Sequence, residues 1–281
     1  MTWRLRVRHR TGYSYDGEVR SSYNEARMTP LTDAGQTTLE TRVDISPNAS
    51  SYRYRDYWGT EVTAFDLHSP HTELEVIATS VVETGLRDWQ PGGLDWSVLR
   101  SDAVTDQYAE WLAVTPRTDP DGTLSDLARA IAARGGSPTE VAIACLTAIG
   151  EHLTYVPGST DVKTSAMQAW GGRSGVCQDF AHVSLAMLRA IGLPARYVSG
   201  YLHPDSSAEI GKTVDGESHA WVEWWDGDWV GYDPTNRKPV GEHHVLVARG
   251  RDYDDVTPLK GIYAGPPSSA LGVAVSVTRL A

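Results

Sequence analysis

The sequence predicts an α+β fold with two parts, an N-terminal antiparallel β domain and a larger domain in which helices precede strands. Apolar and polar residues alternate in short segments through residues 1–86, which is the two-residue period of strands that bury one face. Helical periodicity replaces this alternation up to residue 192, and the alternation returns from residue 195 onwards. A chain of 281 residues supplies enough apolar material for a sizeable core.

The N-terminal part is predicted to be a small antiparallel β-sandwich or barrel over residues 1–86. Its alternating segments are separated by clusters of Gly, Pro, Asn and Asp, which favour turns. The apolar members of these segments are Trp3, Leu5 and Val7; Val43 and Ile45; Phe65 and Leu67; and Leu74, Val76 and Ala78. Residues 87–101 include Pro91, Gly92 and Gly93 and are predicted to be a linker, so that residues 102–281 form the second domain.

Helix signals open the second domain. A short helix is predicted to begin at residue 102 and to end near residue 116. Thr123 or Ser125 is predicted to cap a helix that continues to residue 134. Ser137 and Glu140 have the spacing of a capping box, which predicts a further helix through residue 152.

The next predicted helix places a cysteine at its N-terminus. It begins near Gly175 and Cys177, carries apolar residues at helical spacing, and ends at Gly192 and Pro194. A free thiol titrates near pH 8.5 and is mostly protonated at neutral pH, so a nucleophilic cysteine needs local stabilisation of its thiolate. The unpaired N–H groups and the dipole of a helix N-terminus provide it, and the same N–H groups can donate to an oxyanion.

The chain contains a second cysteine that serves as an internal comparison. Cys145 lies in the middle of a predicted helix, among Ala and Leu residues, with no helix terminus beside it. We interpret Cys145 as a small apolar core residue. For Cys177 alone, the same interpretation as a buried apolar residue competes with the catalytic one.

A predicted hairpin over residues 217–233 carries a histidine and an aspartate. With a three-residue loop at 226–228, facing positions sum to 454, so that Trp221 faces Asp233 and His219 lies diagonally across from Asp233 on the same face. An aspartate there can orient the imidazole of a general base. A loop of two or four residues would put the pair on opposite faces. The alternatives are a strand histidine bonded to the backbone and a turn aspartate before Pro234.

Composition excludes several classes of function. With 36 acidic and 25 basic residues the net charge is −11, which disfavours nucleic acids and anionic membranes as main partners. No run of eighteen apolar residues is present, and the N-terminus alternates like a strand instead of forming a signal peptide. Two cysteines in a chain of this length favour a reducing compartment, and we therefore expect a cytoplasmic protein.

No metal centre or cofactor is predicted. His243 and His244 with Asp252, Asp254 and Asp255 lack any recognised metal-ligand spacing, and we interpret them as solvated turn residues. A glycine-rich phosphate loop is also absent from the sequence.

Four sequence blocks resemble the transglutaminase-like superfamily, and in particular its bacterial members that have an N-terminal β domain. The blocks are SGVCQDFAH at residues 174–182, LPARYVSGY at 193–201, SHAWVE at 218–223 and DPTN at 233–236. The resemblance implies a papain-like core, in which a Cys-bearing helix packs on an antiparallel sheet that bears His and Asp. It further implies that Cys177 is the nucleophile, His219 the base and Asp233 the residue that orients it.

The resemblance implies acyl transfer from an amide of a protein or peptide substrate through a thioester on the cysteine. Water as acceptor would make the protein a peptidase or amidase, which we favour because an amine must compete with abundant water; an amine would make it a transglutaminase. A non-catalytic binding module is the alternative from another class. Tyr155, Gln178 and Trp221 are candidates for a second oxyanion donor or for residues of the cleft, and the sequence leaves the oligomeric state open.

Overall fold

The N-terminal region consists of six strands that belong to two sheets. The structure, a computed structural model, describes residues 2–85, 93–205 and 207–281. The six strands are β1 (Thr2–Val19), β2 (Ser21–Ala26), β3 (Gln36–Ser46), β4 (Ser51–Arg55), β5 (Glu61–Leu67) and β6 (His71–Gly85). Buried and exposed residues alternate along β1 and β6, which confirms the prediction that these strands bury one face.

The helices occupy the middle of the chain. They and the two short strands between them are α1 (Trp96–Leu99), α2 (Asp102–Gln107), α3 (Ala109–Leu112), α4 (Gly122–Ala132), α5 (Pro138–His152), β7 (Thr154–Tyr155), α6 (Ala166–Gly172), β8 (Ser174–Gly175) and α7 (Cys177–Ala190). The capping box of Ser137 and Glu140 is confirmed at the start of α5. The predicted cap of α4 at Thr123 or Ser125 is wrong, because Asp121 accepts a hydrogen bond from the Leu124 N–H and the helix begins at Gly122.

The final third of the chain returns to strands. These elements are β9 (Ala195–Leu202), β10 (Thr213–Trp225), β11 (Trp229–Asp233), β12 (Lys238–Pro239), β13 (His244–Gly250), α8 (Tyr253–Val256), β14 (Leu259–Ala264) and β15 (Ser268–Arg279). The predicted α+β class is confirmed. Within the described ranges, no helix is long and apolar enough to cross a membrane.

The two N-terminal sheets each include a strand from the end of the chain. One has the order β15-β1-β6-β3 and continues from β15 into β10 of a larger sheet, and the other has the order β14-β2-β5-β4. They pack face to face around a cluster that includes Tyr15, Met28, Phe65 and Leu74. The sequence assigned residues 259–281 to the second domain, whereas the structure pairs β14 with β2 and β15 with β1. Alternation identifies a strand but not its partner, because the partner is remote in sequence.

The boundary between the two parts is described only in part. Residues 87–92 of the predicted linker lie outside the described residues. The remainder, residues 93–101, includes α1, which Asp95 caps by accepting a hydrogen bond from the Ser97 N–H. The partition at residues 86 and 102 stays a prediction, and the main apolar cluster combines Trp3, Leu5 and Val7 of β1 with residues of the helices.

Helix α7 lies at the centre of the core. It contacts α4, α5 and α6, and it also contacts β9 and β10 of an antiparallel sheet. Twelve of its fourteen residues are buried, which agrees with the apolar face predicted from the sequence. The N-terminus of α7 is thereby fixed against β10, the strand that carries His219.

Candidate active site

Cys177 is the first residue of α7, as the sequence predicted. Its main chain is held by Asp179, whose Oδ2 accepts hydrogen bonds from the Val176 N–H at 2.7 Å and from the Thr160 hydroxyl at 2.6 Å. Gly175 precedes it where a Cβ atom would lie 2.6 Å from the Asp179 Cβ, so no other residue fits without displacement. The helix N-terminus therefore presents the half-buried Cys177 side chain at a fixed position beside unpaired backbone N–H groups.

The hairpin that carries His219 and Asp233 has the register predicted from the sequence. Val222 pairs with Tyr232 and Trp225 with Trp229, so facing positions sum to 454. His219 Nε2 lies 2.7 Å from Asp233 Oδ2, and both side chains are almost completely buried. Because a carboxylate only accepts hydrogen bonds, Nε2 carries the proton and Nδ1 is left to face the thiol.

Asp233 accepts hydrogen bonds at both carboxylate oxygens. Oδ1 caps the turn that follows β11 by accepting the N–H groups of Thr235 and Asn236, each at 3.0 Å. Oδ2 accepts the side-chain amide of Asn236 at 2.8 Å and His219. The DPTN block thus folds back on its own aspartate, which fixes the carboxylate with its second oxygen directed at the imidazole.

A second histidine, His244, reaches the same carboxylate oxygen. Its Nε2 lies 3.2 Å from Asp233 Oδ2, and its Nδ1 accepts a hydrogen bond from the Gly241 N–H at 3.2 Å. The imidazole is therefore a neutral tautomer that donates to Asp233 through Nε2. We interpreted His244 and Asp252 from the sequence as solvated turn residues, and this is wrong, because both are buried. Nothing in the residue spacing indicated the contact, since β13 reaches β10 only through β9.

Hydrogen bonds and burial set the charges of this cluster. Burial alone lowers the pKa of His219, but its hydrogen bond with Asp233 and the nearby Cys177 thiol outweigh that effect and raise the pKa to about 10. Burial raises the pKa of Asp233, yet the bonds from His219 and His244 hold it well below its usual range. Burial lowers the pKa of His244 in spite of its bond to Asp233. The site therefore favours an imidazolium at His219, an ionised Asp233 and a neutral His244.

The raised pKa of His219 predicts a characteristic dependence of stability on pH. Between the unfolded value of about 6.5 and the folded value of about 10, the native state holds a proton that the unfolded state has lost. The contribution of His219 to the free energy of unfolding is therefore complete below pH 6.5 and should be lost as pH rises towards 10. Urea unfolding at pH 7, 8.5 and 10 measures this slope.

His219→Gln serves as the comparison for that slope, because it removes the titrating imidazole and leaves all the lysines, tyrosines and cysteines in place. The difference in the free energy of unfolding between wild type and His219→Gln should shrink as pH rises. A difference that stays constant or grows across this range would contradict the raised pKa.

Removal of His244 should weaken the candidate site while leaving Cys177, His219 and Asp233 in place. We expect His244→Ala to lower the reactivity of Cys177 by about tenfold to a hundredfold, as for other residues that orient a ligand or base through hydrogen bonds. The unfolding free energy should fall by about 1–3 kcal/mol, since a buried acceptor loses one donor. His243→Ala is the matched control. The His243 ring packs edge-on against Trp3, and among the hydrogen bonds that the structure describes it has none with Asp233. Equal effects of the two substitutions on thiol reactivity would refute a role for His244.

An open cleft of about 330 Å³ borders the thiol. Its lining comes from three places in the chain: Tyr155, Val176 and Cys177; Gly216, Glu217 and Ser218 at the start of the His219 strand; and Val273 and Val275 of β15. Tyr155 therefore lies at the cleft, as proposed from the sequence, and its side chain is 41% exposed. The half-buried thiol therefore borders a cleft that is open to solvent.

The other two candidates for the cleft lie elsewhere. Gln178 is buried and its amide nitrogen lies 3.4 Å from the carbonyl oxygen of Asp161. Trp221 is buried beside Val198 and Leu246, with its ring edge-on to His244 at 5.3 Å. Neither residue lines the groove. Trp221 instead covers the His244–Asp233 contact, and Tyr155 alone of the three candidates reaches the thiol side.

His219, Asp233 and His244 are also a potential set of metal ligands. One donor atom from each lies within 4.8 Å of the others, and all three residues are buried. Both Nε2 atoms, however, are directed at the same carboxylate oxygen as N–H donors. In this arrangement the lone pairs that a metal ion needs are occupied by protons, and the donor set suits a hydrogen-bonded relay better than a metal ion.

Comparison with known proteins assigns the family. Residues 5–83 match the bacterial transglutaminase-like N-terminal region, and residues 125–234 match the transglutaminase-like superfamily. An uncharacterised protein of Mycobacterium leprae is 47% identical over 279 residues, which cover 99% of this chain and 100% of that protein. The chain belongs to the transglutaminase-like superfamily.

Two further relatives extend this transglutaminase-like assignment. The solved structure of a proposed cysteine protease from Cytophaga hutchinsonii superposes with a TM-score of 0.76 at 21% identity, covering 100% of this chain and 93% of the other, and so shares its fold. A protein-glutamine gamma-glutamyltransferase of Pseudomonas aeruginosa is 33% identical over 105 residues, which are 33% of this chain and 15% of that protein. The predicted papain-like, transglutaminase-like core is confirmed. His244 and β15 lie outside both matched regions.

Proposed function

We propose that this transglutaminase-like protein is a cysteine-dependent acyl-transfer enzyme that acts on amide bonds of proteins or peptides, with Cys177, His219 and Asp233 as its triad. The observation that carries the proposal is the buried Asp233–His219 pair, which leaves Nδ1 of the imidazole directed to the thiol at the mouth of an open cleft. A nucleophile, a base and a third group that orients the base form the minimal set for covalent acyl transfer.

The first half of the reaction forms the thioester. The Cys177 thiolate attacks the amide carbonyl carbon, and the oxyanion is stabilised by N–H groups at the start of α7. As the C–N bond breaks, His219 transfers its Nδ1 proton to the departing nitrogen, which leaves as ammonia or an amine. Asp233 keeps its hydrogen bond to Nε2 throughout and stabilises the imidazolium before the transfer.

The second half of the reaction releases the acyl group. Water or an amine attacks the thioester carbonyl, the now neutral His219 accepts its proton, and the C–S bond breaks to regenerate the thiolate–imidazolium pair. We favour water as the acceptor, which makes the protein a peptidase or amidase. The similarity to a protein-glutamine gamma-glutamyltransferase supports amine transfer as the second candidate.

The acceptor can be decided by mass spectrometry of reaction products. Casein is incubated with the protein, with and without a fluorescent primary amine, and Cys177→Ala serves as the control. Backbone cleavage or conversion of glutamine to glutamate that needs Cys177 would support hydrolysis, whereas incorporation of the amine would support transglutaminase activity. If a panel of unfolded proteins gives no product that depends on Cys177, while the protein retains one of them tightly, the binding-module alternative gains and the proposed activity is contradicted.

A reducing location suits this chemistry. Cys145 and Cys177 are both free in the structure. We propose a cytoplasmic protein, where the thiol stays reduced, and fractionation of cells that express it tests this: recovery in a secreted or envelope fraction would contradict it.

A further inference from the structure

The wall of the cleft opposite the Cys177 helix is formed by β15, whose other neighbour is an N-terminal strand. Strand β15 pairs with β1 along its length, from Tyr15–Ser268 to Leu5–Arg279. On its other side β10 pairs with it only from Thr213–Thr278 to Gly216–Val275. At Glu217 strand β10 leaves β15 and pairs with β9 instead.

This divergence makes a fork between two strands, and the cleft lies in it. Gly216 is the last residue of β10 that pairs with β15, and a Cβ atom there would lie 2.5 Å from the Val277 side chain. The strands can therefore approach closely at the fork only because that residue is glycine. Three residues beyond Gly216, β10 carries His219, so the gap between the strands opens beside the proposed catalytic cluster.

Beyond the fork, β15 presents an edge that no described strand occupies. Residues 270–274 pair with β1 on one side and with no strand of the described ranges on the other. Proteins protect such edges with lysine, proline or inward-pointing charges, because unpaired N–H and C=O groups recruit other chains. The segment 268–277 contains no charged residue and no proline. An unprotected edge beside a nucleophile is suited to binding a polypeptide.

The side chains of this edge are apolar and continue a buried stripe. Val275 and Val277 are buried in the main core, at 7% and 0% exposure, and point to the same face of the sheet as Leu271 and Val273. Leu271 and Val273 are 58% and 53% exposed. Val273 lines the cleft together with Cys177, so the exposed half of the stripe leads to the thiol.

A carboxylate at the fork restricts which polypeptide segments can bind at the cleft. Glu217 is exposed at the mouth of the cleft, close enough to Tyr155 to raise the pKa of its hydroxyl, although burial is the larger cause. The whole chain carries a net charge of −11. Segments with acidic side chains are therefore disfavoured at the cleft.

We propose that residues 270–274 of β15 form a substrate subsite, in which an extended polypeptide segment with apolar, non-acidic side chains pairs with the free edge and delivers an amide to Cys177. Pairing of this kind takes affinity from main-chain hydrogen bonds and specificity from alternate side chains. The five residues span about 17 Å, enough for an extended segment of similar length. The inference rests on the proposed function, and it gives the N-terminal sheet a role, since β1 holds β15 in place.

The test compares two electrophiles that label the same thiol. Iodoacetamide has no peptide and reports the chemistry of Cys177, whereas acetyl-Leu-Val-Leu-Gly chloromethyl ketone also needs the subsite. The measured quantity is the ratio of the two labelling rate constants, with the modified cysteine assigned by mass spectrometry. Leu271→Asp and Val273→Asp are compared with Ile262→Asp, a matched control because Ile262 is an aliphatic strand residue of β14 that is 72% exposed.

We expect the peptide-to-iodoacetamide ratio to fall by about tenfold or more in Leu271→Asp and Val273→Asp, and to be unchanged in Ile262→Asp. In wild type, a peptide chloromethyl ketone with Asp in place of its Leu and Val residues should give a lower peptide-to-iodoacetamide ratio than the original reagent. N-methylation of alternate peptide nitrogens should lower the ratio by about fivefold, since each removes one pairing hydrogen bond. Equal ratios in all three variants, with fast labelling by iodoacetamide, would overturn the subsite alone. Slow labelling of wild type by iodoacetamide would overturn the proposed function, and the subsite with it.

Discussion

Replacing Cys177 by alanine should abolish acyl transfer, by a factor of about 10⁴ or more, and leave the fold intact. The loss is expected because Cys177 is the proposed nucleophile and its thiol borders the open cleft. The fold should survive, since Cys177 is only half-buried and Asp179 fixes the start of the helix. The change in unfolding free energy should be about 1 kcal/mol or less.

Cys145 is the control for Cys177 within the same chain, because its replacement should change stability and not activity. Its side chain is completely buried in the main core, and burial raises the pKa of its thiol to about 12. Cys145→Ala should therefore destabilise the protein by about 1–2 kcal/mol through the cavity it leaves, with the rate of acyl transfer unchanged. Product formation and urea unfolding of both variants check the pair. Retained activity in Cys177→Ala, or lost activity in a folded Cys145→Ala, would refute the assignment of the nucleophile.

Asp233→Asn should lose both activity and stability. The carboxylate accepts five hydrogen bonds, and an amide of the same shape places an NH₂ group against the donors that now meet Oδ2. The His219 imidazole then loses its charge partner and its fixed tautomer, for which a rate loss of about 10⁴-fold is the precedent in serine proteases. Because a buried ion pair is broken, the unfolding free energy should fall by about 3–5 kcal/mol.

The matched control for this change is Asp228→Asn in the loop of the same hairpin. Asp228 is exposed, and its carboxylate accepts a hydrogen bond from the Trp229 N–H. We expect its substitution to alter the unfolding free energy by about 0.5 kcal/mol at most and to leave product formation unchanged. Urea unfolding and labelling of Cys177 distinguish the two variants. If Asp233→Asn labels as fast as Asp228→Asn, then Asp233 does not orient the base.

The sequence predicted those parts of the site that depend on local spacing. A three-residue loop between two alternating segments sufficed to place Asp233 on the same face as His219, and the structure has that register. The glycine before Cys177 and the apolar face that follows it likewise predicted the central helix. Both inferences use distances along a single hairpin or a single helix, where geometry follows from residue number.

What the sequence could not predict depends on contacts between remote segments. His244 reaches Asp233 because β13, β9 and β10 are neighbours in one sheet, and no residue pattern specifies that order. The pairing of β15 with β1 joins residues more than 250 positions apart, so the cleft wall at Val273 was also unforeseen. Gln178 and Trp221 are the two sequence candidates that do not line the cleft, because helix and strand geometry direct their side chains elsewhere.

The rate of iodoacetamide labelling against pH tests whether Cys177 and His219 form a thiolate–imidazolium pair. The measurement compares wild type with His219→Ala and assigns the modified cysteine by mass spectrometry. We expect Cys177 of wild type to react rapidly at pH 6, where free thiols are almost wholly protonated, and His219→Ala to lose this reactivity. Slow labelling at pH 6 in both proteins, rising only near pH 8.5 as for a free thiol, would contradict the account.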